Sequence, residues 1–131
     1  MRDQIGDMIT RIRNGQKVRF SEVILYTPTS KLCIHILNIL RTEGYVHNYK
    51  IKKIHPLQVS VILKFDSVGK PAIKNIYQIS TIGRRIYIKS KNLWTLKSGQ
   101  GLFIISTPKG LMTNRDAKIN NYGGELLLNV Y

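Results

Sequence analysis

Five consecutive residues, Ser106-Thr107-Pro108-Lys109-Gly110, combine two hydroxyls, a rigid ring, one cation and a glycine. Hydroxyls and bared backbone groups can read base edges and ribose hydroxyls, while Lys109 brings charge to a phosphate. Gly110 either lets a ligand come close or permits a positive φ. An apolar strand-like run, Leu-Phe-Ile-Ile, leads into the segment and a capped helix is expected after it. An ordinary strand-to-helix turn therefore explains the same residues, and composition by itself favours that reading. Upstream, Gly83-Arg84-Arg85-Ile86-Tyr87 sets two guanidinium groups beside an aromatic ring. Arginine suits phosphates through paired donors, and a tyrosine can stack on a base or bond a sugar hydroxyl. Tyr87 facing a core, with Arg84 and Arg85 in a solvated turn, accounts for that motif equally well. Gly123-Gly124-Glu125 is a third place of close approach. Glu125 could accept from a guanine edge, but a carboxylate near phosphates is costly unless paired, so pairing with a nearby Arg or Lys is expected.

No motif supports catalysis. His35, His47 and His55 are widely spaced and form no metal-ligand pattern. His35 lies in an apolar helical segment and is expected to be partly packed. Cys33 is the only cysteine, which excludes an internal disulfide or a Cys-based zinc site and fits a reducing environment. It reads as a small buried thiol. No phosphate-binding GxxxxGK[ST] loop and no GxGxxG turn is present, and Gly99-Gln100-Gly101 reads as a turn. No cofactor, metal or small-molecule substrate is expected.

Charge gives the broader direction. The 131 residues carry 21 Lys and Arg against 7 Asp and Glu, a formal net charge of +14. Divided after residue 65, the halves hold 11 basic to 4 acidic and 10 to 3, so each carries +7. The charge belongs to the folded body rather than to a tail. Self-repulsion on this scale weakens the compact state unless a polyanion answers it. Apolar runs fall well short of the roughly 20 residues a spanning helix needs, and neither a signal nor a transit segment opens the chain, so no membrane partner is expected.

Hydrophobic spacing predicts the elements that must position these groups. Ile5, Met8, Ile9 and Ile12 form one helical stripe, with Asp3 as cap and Asn14-Gly15 as stop. Arg11 and Arg13 fall off that stripe. Residues 21–26 read as a short strand, and Thr27-Pro28-Thr29-Ser30 breaks the chain and caps a second helix. Leu32, Ile36, Leu37 and Leu40 line the second helix's buried face, and Gly44 is its left-handed stop. Residues 45–54 and 57–65 are β-rich around His55-Pro56. The expected fold is α+β: an α-β-α-β-β lobe over residues 1–65, a linker at 66–71, and a mainly antiparallel β lobe over 72–131. In that second lobe, strands are expected at 73–79, 85–89, 102–106 and 125–131. One short helix is capped by Thr113, with Asp116 completing a capping box.

In order and spacing, these segments resemble the bacterial-type family of small-subunit ribosomal protein eight. DQIGDMITRIRNGQ at residues 3–16 is similar to that family's first helix, and Thr29-Ser30-Lys31-Leu32 and Glu43-Gly44-Tyr45 fall at matching places. Ile82 to Tyr87, STPKGLMTNR at 106–115 and GGELLLNVY at 123–131 complete the match. The resemblance covers nearly the whole chain and is weakest over 46–79. It implies a non-enzymatic constituent of the small ribosomal subunit that binds a helical junction in the central domain of small-subunit rRNA and supports its assembly. It further implies RNA contacts at Ser106, Thr107, Lys109, Gly110, Tyr87 and Gly123 to Glu125, a second contact at Arg11, Arg13 and Asn14 with Lys31 close by, and neighbouring ribosomal proteins as partners. A free RNA-binding regulator using the same surface is the alternative. Two departures stand out. Pro108 replaces the family's second serine, removing a hydroxyl and a backbone N–H, and Ile82 replaces the usual proline, which is expected to loosen a turn. The abundance of Ile, at 19 residues, with Lys and Asn, suggests an AT-rich genome. With the lack of a targeting segment, it makes a mitochondrial ribosome the expected location, ahead of a bacterial cytoplasm or a plastid.

Overall fold

A computed structural model of the chain describes residues 3–25, 30–53, 58–96 and 101–131. The expected break at Thr27-Pro28-Thr29, the His55-Pro56 connection and the Gly99-Gln100 turn lie outside the described residues. Two compact units divide between Lys74 and Asn75.

The first unit runs α1 (Gln4–Val18), β1 (Glu22–Leu25), α2 (Lys31–Thr42), β2 (Val46–Lys52) and β3 (Gln58–Leu63). Its antiparallel sheet has the order β1-β3-β2. In α1, Asp3 Oδ1 accepts from the Gly6 N–H at 3.0 Å, satisfying one of the first turn's orphan donors. Met8, Ile9 and Ile12 are buried as their spacing requires. Asn14-Gly15 does not stop the helix. It continues to Val18 and ends with Arg19 in the left-handed region, φ 58°. The glycine serves packing instead: a Cβ on Gly15 would lie 2.5 Å from Val23 Cγ1, so its absence lets α1 sit directly on β1.

In α2, Ser30 caps by accepting from the Cys33 N–H at 3.3 Å. The buried stripe is Cys33, Ile36, Leu37 and Leu40. At 100° per residue, Leu32 falls on the rim of that stripe and His35 outside it, so both are exposed rather than packed. Gly44 (φ 84°) ends the helix, with the Tyr45 N–H donating to Leu40 O at 2.8 Å. Residues 66–71, the candidate linker, form a closed turn. The Asp66 carboxylate accepts from the N–H groups of Val68 and Lys70, at 2.9 and 2.8 Å. Beyond it, the Ile73 N–H donates to the buried Gln16 Oε1 at 3.0 Å. This stretch is thereby fastened to α1.

The second unit runs β4 (Ile76–Gln78), β5 (Tyr87–Ile88), a 3-10 helix (Ser90–Thr95), β6 (Leu102–Thr107), β7 (Gly110–Thr113), α3 (Asn114–Asn120) and β8 (Gly124–Val130). The antiparallel sheet has the order β4-β8-β6-β7, and β5 also pairs with β8. Leu93, Phe103, Ile105, Ala117 and Leu126 form one buried cluster of this unit, joined by Ile79, Ile86, Ile88, Leu96 and Met112, and Ile76, Ile104, Leu128 and Val130 are fully buried as well. Thr113 caps α3 by accepting from the Asp116 N–H at 3.2 Å. The mixed α+β architecture matches the sequence expectation. β7 and the 3-10 helix are additions to it.

Candidate nucleic-acid interface

Ser106 to Gly110 forms a β-hairpin, not a strand-to-helix loop. β6 and β7 pair as far as Thr107 opposite Gly110, leaving only Pro108 and Lys109 in the turn. Thr107 holds the turn closed. Its hydroxyl donates to Gly110 O at 2.8 Å and accepts from the Lys109 N–H at 3.2 Å, and the residue is buried. Gly110 has φ 116°, where a Cβ is strained, and a Cβ there would meet nothing within 4 Å. The turn therefore projects Pro108 and Lys109 into solvent.

Strand pairing gathers the remaining residues. Tyr87 lies opposite Glu125, Glu125 opposite Ser106, and Ser106 opposite Leu111. Residues directly opposite share a face, so Tyr87, Glu125 and Ser106 form one row across three strands. The adjacent row, Leu126, Ile105 and Met112, points the other way into the core. Tyr87 is 69% exposed and so faces solvent rather than the core.

Glu125 is paired, as the cost of a bare carboxylate requires. It accepts from Arg85 Nη1 at 3.1 Å and from the Ser80 hydroxyl, and Ser80 Oγ in turn accepts from the Ile86 N–H at 3.2 Å. The Arg85 side chain keeps about half its surface in solvent. Its neighbour Arg84 is exposed at the end of a tight turn, in which Thr81 and Arg84 exchange backbone hydrogen bonds at 3.0 and 3.1 Å. That turn closes without a proline at position 82.

Gly123 and Gly124 serve the protein's own strands. A Cβ on Gly123 would come within 2.6 Å of Ile88 O and 2.8 Å of Ser90 N. A Cβ on Gly124 would overlap the Ser106 carbonyl. They permit the close approach that forms the row.

In the first unit, Arg11 and Asn14 are three residues apart on one side of α1 and line an open groove of about 350 Å³ with Phe20 and Glu22. Arg13 lies on the opposite flank, half-buried. Lys31 opens α2 beside the start of α1, where the Ser30 N–H donates to Gln4 Oε1 at 3.2 Å. Asn14 is ten residues further along α1, about 15 Å at helical rise. Lys31 and Asn14 therefore belong to opposite ends of that helix.

Sequence reading missed Ser80, which no local pattern marks, and the exposed Trp94 on the 3-10 helix. Among the described residues, no group of three or more His, Cys, Asp or Glu could hold a metal ion, and no helix is long and apolar enough to cross a membrane.

Residues 3–131 match the family model described as "Ribosomal protein S8". Small ribosomal subunit protein uS8 of Rhodospirillum centenum is 42% identical, over 98% of this chain and 97% of that protein. Its namesake in Novosphingobium aromaticivorans is also 42% identical, over 100% and 98%, and that of Borrelia duttonii is 43% identical, over 97% and 96%.

Proposed function

We propose that this chain, which belongs to the ribosomal protein S8 family, is a structural constituent of the small ribosomal subunit that grips a helical junction of small-subunit rRNA. The surface we assign is the Tyr87–Glu125–Ser106 row together with the hairpin tip at Lys109. It supports assembly of the central domain of that RNA and thereby translation, alongside neighbouring small-subunit proteins. It turns over no substrate, takes no cofactor and engages no membrane.

The row itself carries this reading. An exposed aromatic ring stands at one end and a half-buried hydroxyl at the other, with a carboxylate between them already neutralised by Arg85. Tyr87 stacks on a base or bonds a ribose hydroxyl, and Ser106 reads shape and base edges. Lys109, Arg84 and Arg85 answer phosphates. Thr107, Gly110, Gly123 and Gly124 hold the surface in place. Arg11, Arg13, Asn14 and Lys31 of the first unit add further phosphate contacts. No acidic residue occurs between Asp66 and Asp116, a stretch that holds nine Lys and Arg. A long basic segment of this kind suits a polyanion.

Binding to a transcribed junction fragment tests the assignment. Lys109→Ala weakens all RNAs alike and lowers the slope of log affinity against log salt by about one. Ser106→Ala reduces discrimination against altered junctions. Wild-type behaviour in both variants contradicts the hairpin assignment. Cosedimentation with small subunits is expected, and a chain that stays free of them would be a regulator instead. We assign the ribosome to a mitochondrion on the bias towards Ile, Lys and Asn, against bacterial relatives that fit a bacterial cytoplasm equally. Organelle fractionation decides it: recovery with mitochondrial small subunits is the expected result.

A further inference from the structure

Trp94 is the only tryptophan in the chain, and it is 68% exposed. It sits on the 3-10 helix Ser90–Thr95, whose neighbour Leu93 is buried at 2% exposure in the core beside Phe103 and Ala117. Leu93 therefore anchors the helix, and Trp94 contributes little to its stability. The Asn92 N–H donates to Lys89 O at 2.9 Å, the Leu96 N–H donates to Leu93 O at 3.1 Å, and the Thr95 hydroxyl donates to Asn92 O at 2.7 Å. These bonds hold the ring on a locked turn rather than a loose loop.

In a 3-10 helix, residues three apart eclipse one another, which sets Lys91 beside Trp94. Lys89 is exposed just before the helix, and two residues earlier comes the exposed Tyr87, the end of the row already described. The solvent side of this segment thus reads aromatic, cation, cation, aromatic. From Tyr87 to Trp94 it spans at most about 18 Å, taking about 3.3 Å per extended residue and about 2.0 Å per 3-10 residue. Gly123, the residue before β8, braces it from behind, since it approaches the backbone of Ile88 and Ser90 too closely to admit a side chain.

An indole left in water contributes little to folding and stays available to a ligand, and the charge around it selects the partner. An apolar protein surface would have to bury Lys89 and Lys91 along with the ring. A nucleotide offers a flat face to the indole and phosphates to both ammonium groups. We propose that Trp94 is a stacking platform for an unpaired nucleotide of the bound RNA, with Lys91 and Lys89 on the flanking phosphates. It extends the recognition surface beyond Tyr87 by a few nucleotides. This inference rests on the rRNA-binding reading of the same unit.

Excited beyond the tyrosine absorption band, the intrinsic fluorescence of the full chain reports this position alone, because there is one tryptophan. Titration with the small-subunit junction fragment should quench Trp94 emission over the same concentration range as binding followed by filter retention. Trp94→Ala should weaken that binding about tenfold, while Trp94→Phe, which keeps a stacking ring, should stay within about threefold of wild type. Unchanged emission, with Trp94→Ala binding as wild type and Lys109→Ala still weakened, overturns the platform and leaves the proposed function standing. Emission unaffected by naked RNA, with Trp94 crosslinked to a protein in the assembled subunit, means that a protein neighbour covers the ring, which also overturns it. Failure of the wild-type chain to bind the junction overturns both readings.

Discussion

Gly124→Ala separates the architectural account of the glycine pair from the ligand-approach account that sequence alone suggests. A Cβ at position 124 would lie 2.8 Å from the Ser106 carbonyl carbon and 3.0 Å from Thr107 Cα, and it would overlap the Ser106 oxygen. Carbon atoms in contact stand about 3.5–4.0 Å apart, so β6 and β8 must part by about 1 Å. What moves is strand backbone, not the end of a flexible side chain. Overpacking of this kind costs about 1–3 kcal/mol, and loss of a ladder hydrogen bond adds about 1 kcal/mol. Taking about 3 kcal/mol, and about 4–8 °C per kcal/mol for a unit of this size, Tm falls by about 12 °C or more. Two controls bracket the effect. Gly83→Ala meets nothing within 4 Å and needs no positive φ, so its Tm stays within a few degrees. Gly110→Ala also has room but forces a side chain to φ 116°, which costs about 1–2 kcal/mol. Circular dichroism melts of the three variants, followed by junction binding below each Tm, check the ranking. A Gly124→Ala protein that melts with wild type yet loses RNA affinity would refute the reasoning, because the glycine would then be making room for the ligand.

Glu125→Ala should destabilise by about 1–3 kcal/mol, since it strands the buried Ser80 hydroxyl, whereas Arg85→Ala, with half its side chain in water, should stay below about 1 kcal/mol. Equal losses in urea titrations would contradict the network as described. Burial pushes the Cys33 thiol up, with lesser opposing contributions from Ser30. A thiol that holds its proton longer when folded than when unfolded gives no pH slope at neutrality. Its stabilising contribution is then lost as pH rises through and above about 8.5. Melts from pH 7 to 10 should therefore fall more steeply for wild type than for Cys33→Ala, and parallel curves would argue against a buried thiol. Thiol-specific alkylation of the native chain at pH 7 should likewise be slow and should accelerate on unfolding.

Hydrophobic periodicity made most elements legible, because Ile9, Ile12, Ile36, Leu37 and Leu40 can be satisfied in only one helical phase. Caps were equally readable at Asp3, Ser30 and Thr113, whose side chains accept from the N–H three residues on. Gly15 misled because a glycine that ends a helix and one that lets a strand approach look alike in sequence. Only the position of Val23 tells them apart. β7 was hidden because Gly110–Thr113 is four residues long and ends on the residue that caps α3. The pairing demanded for Glu125 followed from electrostatics, but its partners lie 40 and 45 residues away and only strand register identifies them. Trp94 escaped notice for a related reason. Whether it or Leu93 turns inward is decided by the phase of a single 3-10 turn.

The central claim is that the face built from Tyr87, Glu125 and Ser106, with its hairpin tip, lies against small-subunit rRNA. Ultraviolet crosslinking in a native extract, with sequencing of the attached RNA and mass spectrometry of the attached peptide, tests it most directly. The account predicts crosslinks from peptides spanning residues 84–95 and 106–110 to one helical junction in the central domain of that RNA. Crosslinks confined to the first unit, or to RNA outside the small subunit, would contradict it.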